Sequence, residues 1–170
     1  RSVPKEGHEG DVFKNPYIAY NCARVVGGAA VVTNGSQTDP IAEKIQAGMP
    51  VRDALVYALC ALDYEKDEYD TPRIAAAVCR GEARGWLGTV RADGLDVEAF
   101  ALEPGSCLHL ATYEHDRPAG ERRSSFTAAT AEAGCEWVLG QGAFAHFTHL
   151  VAGVCVLETG DGFSMAARDA

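Results

Sequence analysis

The chain predicts an α+β fold, with antiparallel sheets and helices packed outside them. Three observations carry this reading. β-branched and small apolar runs alternate with Gly- and Pro-containing turns, one long segment repeats its apolar residues at three- and four-residue spacing, and strands and helices are segregated along the chain. The order is strands, two helices, four strands, one helix and two strands, without the βαβ alternation of a parallel sheet.

Taken in order, "YNCARVVGGAAVVTN" predicts two strands about Gly27-Gly28, a pair that supplies the positive φ angles of a tight hairpin turn. The spacing predicts a short helix from Pro40 to Gly48, with Asp39 as its cap, Pro40 in its first position and Gly48 at its end. A second helix follows, in which Val51, Leu55, Leu59 and Leu62, with Ala54 and Ala58, make one face apolar for about three turns. After Pro72, "RIAAAVC", "GWLGTVRA", "LDVEAFAL" and "CLHLATYE" read as a four-strand antiparallel meander broken at "RADG" and "EPGS". "HDRPAGERRSS" reads as a surface loop. "FTAATAEAGCEWVLGQG" predicts a helix capped by Thr127 or Thr130, and "HLVAGVCVLE" and "FSMAAR" flank "TGDG" as a last hairpin.

The 170 residues, 47% hydrophobic, suffice for one domain burying roughly two thirds of the surface its unfolded form exposes. No repeat or linker divides residues 1–170. A formal charge of −9, from 15 Lys plus Arg against 24 Asp plus Glu, argues against a general nucleic-acid-binding face. No apolar run approaches the ~20 residues of a membrane helix, and no charged-then-apolar signal opens the chain, so a cytoplasmic location is expected. Cys22, Cys60, Cys79, Cys107, Cys135 and Cys155 are widely spaced and form no metal-ligand pattern, which reads as buried reduced thiols.

Three polar clusters border regular structure: "KNPYIAYN", "TNGSQTD" and "DYEKDEYDTPR". Each alone has an ordinary reading, as strand fillers, a turn and a solvated acidic face. The third is the least ordinary. It puts six charged residues between Asp63 and Asp70 at a helix C-terminus, where backbone carbonyls already concentrate negative charge. Together, Tyr17, Tyr20, Asn21, Asn34, Glu65, Lys66 and Arg73 are residue types that bind a polar heterocycle and move its protons. Lys66 beside Glu65 and Asp67 is expected to stay charged, fit to bind an anion or polarise a carbonyl oxygen. Nucleotide-loop, serine-hydrolase and zincin motifs are lacking.

Three long strings, "GHEGDVFKNPYIAYNCARVV", "VVTNGSQTDPIAEKI" and "ALDYEKDEYDTPRIAAAV", resemble the archaeal-type inosine monophosphate cyclohydrolase family. The likeness is strong from about residue 7 to residue 78 and returns in "TVRADGL", "TYE", "AFAHFTH" and "AARD". It implies a fold like that of the N-terminal-nucleophile hydrolases, an αββα stack of two antiparallel sheets between helices. Arg1 stands where those hydrolases carry a nucleophile, so covalent catalysis from the N-terminus is not expected. The implied reaction converts 5-formamidoimidazole-4-carboxamide ribonucleotide to IMP and water, with no metal or other cofactor.

On matching positions the resemblance places Tyr20, Glu65 and Lys66 at the ring-closing centre, with Glu65 as base and Lys66 or Tyr20 near the formyl oxygen. Asn15, Tyr17, Asn21, Asn34, Ser36 and Arg73 would hold base, ribose or phosphate. It also implies self-association into a homo-oligomer, and a short N-terminal segment, with an arginine for the phosphate, that this chain is expected to lack. Two other readings stand beside it: an amidohydrolase on the same fold, and a noncatalytic purine-nucleotide-binding protein.

Overall fold

Valine and alanine runs on either side of two glycines make the first hairpin. In a computed structural model that describes residues 1–13 and 18–170, β1 (Ala23–Val26) and β2 (Ala29–Thr33) pair antiparallel with Val26 opposite Ala29. Gly27 and Gly28 have φ of 54° and 78°, the left-handed pair that a two-residue turn of right-handed twist requires. The sheet continues through β3 (Arg73–Cys79), β4 (Arg84–Arg91) and β5 (Gly94–Ala101) in the order β1-β2-β3-β4-β5, antiparallel throughout. Alternation along β3 then assigns faces: Arg73, Ala75 and Ala77 are buried on one side, while Ile74, Ala76 and Val78 turn to the other.

Two helices cover the first face. α1 (Thr38–Gln46) contributes Ile41 and Ala42, and α2 (Val51–Leu62) contributes Ala54, Leu55, Ala58 and Leu59, against Val31, Ala75 and Ala77. Fully burying one Leu or Ile side chain is worth about 1.5–3 kcal/mol, so Ile41, Leu55 and Leu59 anchor the layer. Packing is close enough that a Cβ at Gly88 would sit 3.0 Å from Leu59.

α1 begins two residues before the expected Pro40, and Asp39 does not cap it. Gln37 already has helical angles, and Thr38 enters through a turn in which its Oγ1 donates to the Gly35 carbonyl at 3.2 Å. The Asp39 carboxylate instead accepts from Asn21 Nδ2 and Arg24 Nη1, each at 3.0 Å, tying the helix to β1. Pro40 then lies in the first turn, where no N–H is required. The other end is as expected: Gly48, at φ 91°, closes it, with Met49 N–H donating to Lys44 O at 3.0 Å.

The meander stops at three strands. "CLHLATYE" yields only the end of β6 (Ser106–Leu108), which turns away after Pro104-Gly105 and pairs with β7 (Arg123–Ser125), a strand inside the segment expected to be loop. α3 (Ala131–Val138) is capped by Thr130, whose Oγ1 accepts from Ala133 N–H at 3.1 Å. β8 (Ala152–Thr159) and β9 (Gly162–Asp169) form the last hairpin. α3 lies tightly on it: a Cβ at Gly134 would meet Cys155 Sγ at 2.4 Å, and one at Gly153 would meet Val138 at 2.9 Å. The expected second sheet is therefore two separate two-stranded sheets, β6-β7 and β8-β9, rather than one continuous sheet. Among the described residues no helix is long and apolar enough to cross a membrane.

Candidate active site

Between α2 and β3, residues 63–72 double back over the start of the sheet, and their acids build that path. Asp67 accepts from the Tyr69 and Thr71 N–H groups at 3.2 and 2.9 Å through Oδ1, and from Thr71 Oγ1 at 2.7 Å through Oδ2. These bonds, led by the Thr71 hydroxyl, hold its pKa below the usual value. Asp63 ends α2 at φ 58° and ψ −177°, a conformation costly for a residue with a Cβ. That geometry aims its carbonyl at Arg73 Nε, 2.9 Å away, and its carboxylate at Tyr64 N–H and Lys66 Nζ, at 2.9 and 2.8 Å.

The turn delivers Glu65 inward. Glu65 Oε1 accepts from Arg73 Nη1 at 3.0 Å, and these side chains are only 9% and 5% exposed. Arg73 Nη1 also donates to Gln37 Oε1 at 3.0 Å and approaches Ser36 Oγ at 3.5 Å. Burial raises the Glu65 pKa above the ordinary glutamate value; Arg73 opposes that shift and Asp67 adds to it. Tyr20, bridged to Ser2, is close enough for the Glu65 charge to act on it, but burial is the main reason its phenol pKa is raised.

Gln37 is fully buried and its orientation is fixed. Its Nε2 donates to Asn34 Oδ1 at 2.7 Å and to Ile74 O at 3.0 Å, which leaves Oε1 facing Arg73. Asn34 also takes the Ile74 N–H on Oδ1 and donates to Pro72 O and Thr112 Oγ1. Gly35 lies against this cluster without a side chain. A Cβ there would be 2.6 Å from Gln37 Oε1, 2.9 Å from Arg73 Nη1 and 3.2 Å from Glu65 Oε1. Tyr113 reaches the same place from the β6-β7 connection, its hydroxyl 3.3 Å from Thr71 Oγ1.

The structure thus gathers Glu65, Arg73, Ser36 and Asn34 into one cluster, with Tyr20 within electrostatic reach. Lys66 is charged as expected, but through Asp63 and, secondarily, the Tyr64 ring rather than Glu65 and Asp67; its ammonium lies 3.4 Å from the ring centroid. The Asn21 amide is committed to Asp39. Asn15 and Tyr17 lie outside the described residues. Gln37 was not singled out in the sequence, although it stands inside the "TNGSQTD" cluster; Thr71 and Tyr113 were missed as well.

On the opposite face of the sheet, Val32, Ile74 and Leu87 look across a largely apolar cleft of about 570 Å³ toward Phe126, Trp137 and Val154. Asn34 lies at its margin, so the polar cluster and the cleft meet at that residue. This combination of apolar walls and convergent polar groups is the usual form of a small-molecule site.

Comparison with known proteins follows the same lines. A family model described as IMP cyclohydrolase-like protein matches residues 1–162. The IMP cyclohydrolase of Methanosphaera stadtmanae is 43% identical over 150 residues, covering 88% of this chain and 71% of its own. That of a Methanococcus maripaludis strain is 42% identical over 164 residues, 96% of this chain and 78% of the relative. That of Halobacterium salinarum is 47% identical over 154 residues, 89% and 73%.

Proposed function

The chain belongs to the IMP cyclohydrolase-like family, and from that premise we propose that it closes the ring of 5-formamidoimidazole-4-carboxamide ribonucleotide to give IMP and water. The carboxamide nitrogen attacks the formyl carbon of the same molecule. The attacking nitrogen gives up one proton and the formamido nitrogen another, and both leave with the formyl oxygen as water. Nucleophile and electrophile share one substrate, so the protein's task is to hold the reactive rotamer, stabilise the oxyanion and move protons.

The observation that carries the reading is the buried Glu65, paired with Arg73 and with its pKa raised by burial. A carboxylate of raised proton affinity suits the base that takes the amide proton. Tyr20, whose phenol burial keeps protonated, or Lys66, whose ammonium Asp63 keeps charged, is the donor assigned to the formyl oxygen. Ser36, itself exposed and 3.5 Å from Arg73 Nη1, is assigned to substrate contact, as are Asn15 and Tyr17. Asn21 and Asn34, whose amides are engaged within the protein, act by holding the α1 end and the Gln37 amide in place.

With this activity we associate one domain over residues 1–170, an N-terminal-nucleophile-hydrolase-like layering, a homo-oligomer and a cytoplasmic location. The helix-covered five-stranded sheet, with α3 and its hairpin beyond the opposite face, supports the layering.

Ultraviolet-monitored conversion of the formamido nucleotide, with product identification, tests the activity. Stoichiometric IMP is expected. Formate release without IMP would show an amidohydrolase, and binding of IMP without turnover a nucleotide-binding protein.

A further inference from the structure

Arg73 Nη1 carries two hydrogens, and its nearest acceptors are Glu65 and Gln37, both at 3.0 Å, with Ser36 Oγ farther off at 3.5 Å. Gln37 is fully buried, so its amide cannot trade this bond for one with water. Nor can the amide rotate end for end: that would set its NH₂ against the guanidinium and its oxygen against Ile74 O, while Asn34 Oδ1 would lose a donor. Gly35 closes the cluster from the backbone side, where a Cβ would strike all three side chains.

We infer that Gln37 is a positioning residue for ring closure, fixing Arg73 so that the Glu65 carboxylate is held in one geometry for proton transfer. This rests on the assignment of Glu65 as base. Gln37 supplies an acceptor without a charge, so it does not compete with the ion pair of Glu65 and Arg73. A carboxylate at position 37 would compete for the same guanidinium hydrogen and repel Glu65. The charged groups acting on Glu65 are Arg73 from β3 and Asp67 from its own loop, while the Glu65 charge in turn acts on Tyr20 from the segment before β1. From the α1 side it meets the uncharged Gln37 by way of Arg73.

The test is the pH dependence of kcat, with KM for the formamido nucleotide and the thermal midpoint, for wild type, Gln37→Glu, Gln37→Met and Glu65→Gln. In Gln37→Glu the rise of kcat on the acid side should move up by about one pH unit, because like charges disfavour ionisation. KM should stay within about threefold. Gln37→Met keeps the side-chain volume and adds no charge; its kcat per folded molecule should fall about tenfold with KM little changed, as misplacement of a reacting group costs rate rather than binding. If Gln37→Glu does not fold, the Gln37→Met values decide.

An unshifted acid-side rise in folded Gln37→Glu, or unchanged kcat per folded molecule in Gln37→Met, would show a merely structural glutamine and overturn the inference while leaving Glu65 in place. Near-normal turnover in Glu65→Gln would remove the base assignment itself, and the role of Gln37 with it.

Discussion

Two ion pairs use acids of one ten-residue turn, and their surroundings make them different objects. Arg73 and Glu65 are 5% and 9% exposed and share a guanidinium hydrogen-bonded to Gln37 and the Asp63 carbonyl; Lys66 and Asp63 are 58% and 50% exposed and lie on its outer side. The bond lengths, 3.0 and 2.8 Å, would rank the outer pair as the stronger. Burial reverses that ranking, because exposed charges are screened by water and salt while buried ones keep their full interaction and their desolvation cost. Proximity in an acidic sequence therefore says little about function until each acid's exposure is known.

The largest effect should come from removing one buried partner. Arg73→Met leaves Glu65 unpaired and takes a donor from both Gln37 and Asp63 O, at a cost of about 3–5 kcal/mol in urea unfolding. Removing both charges in Arg73→Met with Glu65→Leu should recover a large part of that stability without restoring turnover. No recovery would mean that the hydrogen bonds to the chain, rather than the charge balance, hold the turn.

Glu65→Gln should lower kcat about 100-fold with substrate binding within a few-fold, since general base catalysis contributes about 10²–10⁴. The pH dependence adds a sign. Because the folded pKa is raised, the native state binds more protons than the unfolded chain between the ordinary glutamate value and the folded one. Wild-type stability should therefore fall relative to Glu65→Gln as pH rises through that window. Asp63 and Asp67, whose pKa values are lowered, act oppositely, and their contribution is lost as pH falls through their folded values. The acid-side rise in kcat/KM should lie above the ordinary glutamate value.

Gly35→Ala changes none of the cluster's side chains yet forces a Cβ among them. Overpacking of this kind costs about 1–3 kcal/mol, and kcat should drop with it. Normal activity would show that the cluster can spread without harm. The smallest stability effect belongs to the outer pair: Lys66→Ala should leave the unfolding midpoint within experimental error at moderate salt. Any fall in its turnover would then report the ammonium's part in the chemistry alone.

What could be read in the sequence was local. The Gly27-Gly28 hairpin, the apolar face of α2, the Gly48 helix end and a threonine cap on α3, narrowed to Thr127 or Thr130, all follow from a few adjacent residues. The departure of β6 from the meander does not, because its partner at Ser124 lies beyond a long connection that no spacing rule reaches. Asp39 was misplaced for a related reason: its carboxylate is drawn away by Arg24 and Asn21, residues from another element. In the site, Glu65 and Arg73 stood out by charge, whereas a glutamine in a turn carries no mark of being completely buried.

The backbone of Asp63 has a practical side. Its positive φ and extended ψ belong to glycine's territory, and the hydrogen bonds of its carboxylate are local, to Tyr64 N–H and Lys66. Asp63→Gly would surrender those bonds yet keep the carbonyl that meets Arg73, trading a strained conformation for a relaxed one. Relief of strain then works against the lost bonds and the greater freedom of glycine in the unfolded chain, so the melting temperature should rise by no more than about 2–4 °C, the shift expected for about 1 kcal/mol in a chain of this size, and turnover of the variant reports how far Lys66 depends on Asp63. This position is thus a starting point for making the enzyme more heat-tolerant, which a calorimetric scan of the single variant would establish.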